Sequence, residues 1–331
     1  MRHTEAIALV SGGLDSTLAA RLVQEQGIEI HAIHFVMPFC SSRTLQAEVS
    51  ELARGFGWEL ELVALGEAFV EVVRNPQYGY GKHLNPCVDC RVFTLSRARE
   101  RMHKHQAEFV LTGEVLGQRP MSQRRDAMRR VEKESGLEGR LLRPLSAKCL
   151  EPTIPELEGV VDRDRLLDIS GRSRRPQMAL AQKLGVTQYP TPAGGCLLTD
   201  AGFARRLTDL FAHDEATLMA IEHLKVGRHF RLREGQKVVA GRNEQENLRL
   251  EQMANGDVLK CSTAEVGSAL VMLFGERTEN AVRIAAQICA RYSAHRDRDR
   301  VSVGVWKESE EQGTVLSVAP MSDEELAEIR I

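Results

Sequence analysis

Apolar and polar positions in the first half of the chain follow two alternating periods. Short runs rich in β-branched residues, at Ala6–Val10, Glu29–Phe35, Glu59–Ala64, Phe109–Thr112 and Leu141–Leu145, read as strands. Between them, Ser16–Gln26, Thr44–Phe56, Arg91–His105 and Ser122–Glu134 carry apolar residues at helical spacing. Strand alternating with helix predicts an α/β domain, an open parallel sheet sandwiched by helices. From Glu151 to Pro192 the pattern gives way to a proline-punctuated, arginine-rich stretch expected to wrap the sheet, ending at Ala193-Gly194-Gly195-Cys196. Helical periodicity returns from Ala201 to about Leu224, after which His229–Ala240 and Gly256–Cys261 read as strands flanking a helical Glu244–Met253. The change of pattern predicts two domains, 1–200 and 201–331, the second a smaller α+β fold.

Composition narrows the function classes. With 331 residues, 43% hydrophobic and 27% charged, the chain can bury a substantial core. Its 44 basic and 46 acidic side chains leave a formal charge of −2, which excludes a global basic field and confines any RNA contact to local patches. The apolar run after Met1-Arg2-His3-Thr4 is too short for a signal-peptide core or a membrane span, so a cytoplasmic location without membrane attachment is expected. Seven cysteines, an odd number in such a chain, argue against a disulfide framework and leave metal binding, catalysis or burial.

Ser11-Gly12-Gly13-Leu14-Asp15-Ser16 follows an apolar strand and opens a helix. Backbone N–H groups of the loop and the helix N-terminus therefore converge on one point, which favours an anion. Gly12 and Gly13 permit a tight turn and close approach to phosphate, and the Ser11 and Ser16 hydroxyls can donate further hydrogen bonds. Asp15 would repel bare phosphate and is expected to meet it through Mg²⁺. A Walker loop is excluded, because no lysine precedes the Ser/Thr.

Pro86-Cys87-Val88-Asp89-Cys90 precedes a helical pattern, and Cys196 lies in a glycine-rich turn far downstream, so three thiols are expected on loops. A C-x-x-C pair arises by accident in roughly one such chain in eight, so its meaning depends on its surroundings. Cys261 and Cys289 sit in apolar stretches and are expected to be core residues.

The Ser11–Ser16 segment resembles the PP-loop of the ATP-pyrophosphatase superfamily, whose members cleave ATP between the α- and β-phosphates. Leu111-Thr112-Gly113-Glu114-Val115-Leu116-Gly117-Gln118-Arg119-Pro120-Met121-Ser122 and Asn85-Pro86-Cys87-Val88-Asp89-Cys90 resemble the ThiI-related thiouridine synthetase branch, over about residues 5–200. The resemblance implies ATP bound by Ser11, Gly12, Gly13, Asp15 and Ser16, adenine near His34 and Phe35, and Gly113 and Glu114 facing the same crevice. It also implies a [4Fe–4S] cluster held by Cys87, Cys90 and Cys196 with one iron open for hydrosulfide, Asp15 and the three cysteines being the catalytic set. Glycines beside Cys196 would let that loop approach the cluster. A persulfide relay through the same cysteines remains open, as does a zinc site completed by Cys40, Cys149 or His83.

Arg119, Arg124, Arg125, Arg129 and Arg130, with Arg172, Arg174 and Arg175, suggest a phosphate-backbone track; on the helix, pairing with Asp126, Glu132 and Glu134 is an equal alternative. ThiI proteins carry an N-terminal THUMP domain, which this sequence is expected to do without. Its C-terminal part, around Val239-Ala240-Gly241-Arg242-Asn243-Glu244 through Gly267, resembles the NFACT-R type of RNA-binding domain, which could supply the RNA grip. The expected function is ATP-dependent tRNA thiolation: adenylation of a uridine carbonyl oxygen and its replacement by sulfur from sulfide or a cysteine desulfurase. Lys148 is a candidate phosphate contact. A homodimer is left open, as are sulfur insertion into a small cofactor precursor and a non-catalytic RNA-binding protein.

Overall fold

In a computed structural model the chain divides into two units, Met1–Thr199 and Asp200–Ile331. The structure describes residues 4–40, 44–187, 196–254, 258–263, 266–307 and 313–331. Unit one contains β1 (Glu5–Leu9), α1 (Leu14–Gln24), β2 (Glu29–Val36), α2 (Leu45–Phe56), β3 (Glu59–Ala64), α3 (Gly66–Arg74), α4 (Cys87–Lys104), β4 (Phe109–Thr112), α5 (Arg125–Glu134), β5 (Leu141–Leu142), α6 (Ile154–Leu157) and α7 (Arg175–Lys183). Its sheet is parallel throughout, in the order β3-β2-β1-β4-β5.

Successive strand residues face opposite sides, and both sides are buried. On one, Ala6, Ala8, Ile30, Ala32 and Phe109 pack with Leu18, Ala19 and Val23 of α1, with Val49 and Ala53 of α2, and with Ala181 of α7. On the other, Ile7, Leu9, Ile33, Val63 and Val110 pack with Leu95, Ala98 and Met102 of α4 and Val131 of α5. The chain runs from β1 to β2 and β3 on one side, then crosses to β4 and β5 on the other, so the strand order reverses between β1 and β4. Such a switch point opens a crevice at the strand C-termini.

The expected sheet sandwiched by helices is present, with local differences. The helix expected to open at Arg91 begins at Cys87, with Pro86 at its N-cap, where a missing N–H is tolerated. Cys87 and Cys90 thus stand on a helix rather than on a loop. β5 ends at Leu142, because Arg143 turns inward to ion-pair and Pro144 has no N–H to extend the ladder. The stretch expected only to wrap the sheet forms α6 and α7. Within it the Gly194 and Gly195 turn lies outside the described residues, as does part of the strand expected at Gly256–Cys261.

Unit two contains α8 (Ala201–Ala212), α9 (Leu218–His223), β6 (Arg228–Arg231), β7 (Lys237–Ala240), α10 (Glu244–Met253), β8 (Leu259–Thr263), β9 (Val271–Phe274), α11 (Glu279–Arg291), β10 (Val301–Trp306), β11 (Thr314–Val318) and α12 (Asp323–Ile329). The single helix expected from Ala201 to Leu224 is two, separated where Asp214 takes a left-handed φ of 54°. Its six strands pair antiparallel in the order β11-β10-β8-β9-β7-β6. Val238, Ala240, Cys261, Val271 and Leu273 face α11, whose Ala285, Ile288 and Cys289 complete that core. Val239 and Met272 face Leu250 of α10. Cys261 and Cys289 are core residues, as expected. Among the described residues no helix is long and apolar enough to cross a membrane.

Gly113 shows how tightly the switch point is packed. A Cβ there would lie 2.3 Å from Ser16 N and 2.4 Å from Asp15 C, atoms of the backbone that opens α1. Gly113→Ala should therefore destabilise unit one by roughly 1–3 kcal/mol, the cost of overpacking a filled site. Urea unfolding measures this; an unchanged midpoint would mean that β4 and the loop are not in contact.

Candidate functional site

The loop after β1 is built by its own hydrogen bonds. Gly12 takes a φ of 78°, a conformation only glycine adopts without strain. Ser16 Oγ donates to Gly13 O at 2.9 Å and accepts from Ser11 N at 3.2 Å. The Ser16 proton is thereby committed to the turn, so Ser16 shapes the loop rather than donating to a ligand as expected. Ser11 is exposed, its hydroxyl 3.2 Å from Ser16 Oγ. Gly13 caps α1 without a side-chain hydrogen bond, leaving the first helical N–H groups pointed out of the helix end, where the macrodipole favours an anion.

Asp15 stands in the first turn of α1. Gln118 Nε2 donates to its Oδ2 at 2.9 Å, and Gln177 of α7, fully buried, donates in turn to Gln118 Oε1 at 3.3 Å. Asp15 Oδ1 is buried with no hydrogen-bond partner. A fixed carboxylate with one free oxygen beside an anion-binding helix end suits a hard divalent cation such as Mg²⁺.

The adenine-side expectations divide. His34 is buried, its Nδ1 2.8 Å from Val10 O just before the loop, and burial lowers its pKa despite that bond. As a neutral donor it braces the loop's entry. Phe35, the next residue along β2, faces the opposite side and packs against the core under α4. The structure does not bring the two side chains together on one face.

Glu114 corrects another expectation. Its carboxylate is 6% exposed and fully taken up by the protein: Oε1 accepts from Arg91 Nε at 2.9 Å, while Oε2 lies 3.2 Å from both Arg143 Nε and Thr112 Oγ1. Burial alone would raise its pKa, but Arg91 and Arg143 outweigh it and hold the carboxyl at about 2. Glu114 is therefore a positioning group. Gly113 likewise acts through the loop it abuts.

The thiols gather beside this node. Cys87 and Cys90 occupy the first turn of α4, three residues apart on one face. The Cys196 segment is stitched between them and β2's end, Leu197 N donating to Phe39 O at 3.2 Å and Leu84 N to Leu198 O at 3.2 Å. Burial pushes the Cys90 thiol up to about 12, opposed by Arg91 and reinforced by Cys196 and Cys87. Burial also raises Cys87, opposed by Arg119, and raises Cys196, with Cys87 and Cys40 adding to the effect. The thiols are thus close enough to sense one another, yet no three of their sulfurs all lie within 4.8 Å among the described residues. That spread is wider than the roughly 3.8 Å sulfur separation of a thiolate tetrahedron built on Zn–S bonds near 2.3 Å.

The arginines separate as well. On α5, Arg124 pairs with Asp126 as the local reading expects, while Arg129 pairs with Glu151, Arg125 donates to Cys149 O, Arg130 lies over the Tyr78 ring, and Glu132 is taken by Arg143. Lys148 is turned to Asp164 O rather than to the loop. Arg172, Arg174 and Arg175 form no ion pair among the described residues, and their loop is anchored by Gly171 N donating to Leu116 O at 2.7 Å, two residues before Gln118.

Comparison with known proteins assigns both units. Residues 2–149 match the family model described as Thiamine biosynthesis protein (ThiI), and residues 227–330 match the model described as NFACT protein RNA binding domain. The chain thus carries a ThiI-like region followed by a region similar to the NFACT RNA-binding domain. The tRNA-specific 2-thiouridylase MnmA of Pelobacter propionicus is 36% identical over 119 residues, covering 33% of this chain and 32% of its own. A probable tRNA sulfurtransferase of Thermococcus kodakarensis is 28% identical over 115 residues, covering 34% and 30%. The chain thus spans about a third of the length of these curated relatives. A solved 4-thiouridine synthetase in complex with RNA and ATP covers 67% of this chain and 53% of its own, with 18% identity and a TM-score of 0.40.

Within unit one, sequence reasoning missed Arg91, Gln118, Arg143 and Gln177. Arg91 and Gln118 lie inside or beside the quoted motifs, whereas nothing in the sequence singles out Arg143 or Gln177.

Because Glu114 has a depressed pKa, its stabilising effect is complete above the ordinary carboxylate range and is lost as pH falls from about 4.5 toward about 2. Glu114→Gln, which leaves two guanidinium groups without their shared carboxylate, should cost about 3–5 kcal/mol at pH 7. The gap from the parent chain should narrow steadily in acid. Urea titrations across pH 2 to 7 read both; a gap independent of pH would remove the charge from the explanation.

Proposed function

We propose that the chain is an ATP-dependent tRNA sulfurtransferase that adenylates a uridine carbonyl oxygen and exchanges it for sulfur. One observation carries the reading: a continuous set of contacts joins the anion loop to the thiols. The loop abuts Gly113, Glu114 follows and grips Arg91, and Arg91 adjoins Cys90. On the other flank Gln118 holds Asp15, while its neighbour Arg119 acts on Cys87 and Cys90. In this reading phosphate activation and sulfur delivery share one crevice at the strand C-termini. The matched ThiI model and the thiouridylase and sulfurtransferase relatives support the same chemistry.

The loop N–H groups and the N-terminus of α1 bind the β- and γ-phosphates of ATP and stabilise pyrophosphate as it leaves. The carbonyl oxygen of the base attacks the α-phosphorus, giving an adenylated base and pyrophosphate. A sulfide-level sulfur then attacks the activated carbon, and AMP departs with the former carbonyl oxygen. Asp15, fixed by Gln118, is the residue that would hold Mg²⁺, whose charge neutralises the triphosphate. Cys87, Cys90 and Cys196 would hold a [4Fe–4S] cluster, which when bound supplies an open iron for hydrosulfide. Arg91 and Arg119 place positive charge beside the incoming anion. RNA is gripped by the NFACT-R domain together with Arg172, Arg174 and Arg175 beside the crevice.

Anaerobic incubation with α-labelled ATP, sulfide and bulk tRNA tests this. AMP, pyrophosphate and a thionucleoside should form together. Asp15→Asn should reduce AMP formation by roughly 10²–10³-fold, the scale for one electrostatic group at a transition state. Cys196→Ala should abolish the thionucleoside and bleach any cluster absorption. Labelled ADP in place of AMP, or visible absorption retained in both Cys87→Ala and Cys196→Ala, would overturn the assignment.

A further inference from the structure

A second constellation lies on the same α4 but at its opposite end. His31 is the third residue of β2 and Glu61 the third of β3, both on the sheet face that α4 covers, and His105 caps the C-terminus of α4. The 18 residues of α4 separate this place from Cys87 by about 27 Å at 1.5 Å per residue. Glu61 Oε2 lies 3.9 Å from His31 Nε2 and 3.5 Å from His105 Nε2. All three atoms are buried and make no hydrogen bond. Buried polar atoms without partners are rare, and three converging on one gap call for a shared one.

The surrounding groups leave those atoms free. Arg101 Nε and Lys104 Nζ approach the other Glu61 oxygen, Oε1, at 3.6 and 3.9 Å. Glu59 Oε2 stands 3.4 Å from His31 Nδ1, placing the imidazole proton there and the lone pair on Nε2. His31 itself is only 5% exposed, so its Nε2 faces the protein interior rather than bulk water.

We propose that His31, Glu61 and His105 form a Zn²⁺ site that fastens the end of α4 to β2 and β3. Two imidazole nitrogens and one carboxylate oxygen are a zinc ligand set, and they suit magnesium or calcium poorly. The ligand atoms all lie within 4.8 Å of one another. Glu61 Oε2 stands 3.5 and 3.9 Å from the two imidazole nitrogens, beyond the roughly 3.3 Å between tetrahedral ligands at about 2.0–2.1 Å from zinc. The His31 and His105 rings stack with centroids 3.8 Å apart, so zinc uptake turns the His105 ring at the helix end out of that stack. Glu59 completes the arrangement found where a carboxylate orients a metal-binding histidine. Glu61 and His105 are partly exposed, which gives the ion a route in and a water as fourth ligand. The site stands apart from the thiols and does not depend on their chemistry.

The test uses the full chain carrying Cys87→Ser, Cys90→Ser and Cys196→Ser, stripped with a chelator and titrated with Zn²⁺ alone by calorimetry and with Co²⁺ by absorption. One equivalent of zinc should bind, and cobalt should show ligand-field bands without sulfur charge transfer. Glu59→Gln should weaken zinc about tenfold, and His105→Ala should remove stoichiometric binding with an unchanged circular dichroism spectrum. Glu61→Gln, which preserves shape, should do the same. No zinc uptake by the triple-serine chain, or undiminished uptake in both His105→Ala and Glu61→Gln, would overturn the proposal.

Discussion

The arrangement of unit one depends on one buried carboxylate. Glu114 leaves β4 at the strand's C-terminal end, where it is removed from water, and it remains ionised only because Arg91 and Arg143 meet it there. Burying a charge in this way is tolerable when every oxygen has a partner and very costly when one partner is lost. The consequence is geometric. Arg91 pins the first turn of α4 to the crevice, and Arg143, which also reaches Glu132, draws in α5. The thiols on α4 are thus held beside the Ser11–Ser16 loop by an interaction outside both.

Charge around the thiols follows from the same node. Two guanidinium groups share one carboxylate, and Arg119 adds a third cation near Cys87 and Cys90. Burial opposes ionisation of these cysteines while the arginines favour it. Cations beside buried thiols favour negative charge at that place. In the Ser11–Ser16 loop the Ser16 hydroxyl closes the turn and the first N–H groups of α1 are left without a side-chain cap. Asp15, held by Gln118, keeps one oxygen unpartnered at its edge.

The arginines of unit one fall into two groups. Of the α5 arginines, Arg124 and Arg129 stand beside carboxylates, whereas Arg125 donates to a carbonyl and Arg130 lies over a ring, and both keep their charge. The Arg172–Arg175 loop, in contrast, is anchored through its backbone and keeps its guanidinium groups free of ion pairs among the described residues. A chain with a net charge of −2 can therefore still present cations at one chosen place.

The alternation of strand and helix, the loop glycines and the cysteine spacing are local properties, so the parallel sheet and the anion-binding turn are legible in the chain itself. β3 and β4 begin and end where the pattern places them, because their apolar runs are bounded by turn residues. What the pattern could not reveal arises between segments distant in sequence. Whether Glu114 meets a ligand or two arginines depends on strand order. His34 and Phe35 could be seen as neighbours, but their division between two faces follows from which helices cover each side. Gly113 is required by the backbone of Asp15, about a hundred residues earlier. The meeting of His31, Glu61 and His105 exists only once β3 pairs with β2 and α4 lies across them. Sequence set which chemistry was available; packing decided which groups were left without a partner, because hydrogen bonding and burial are settled only when the last neighbour arrives.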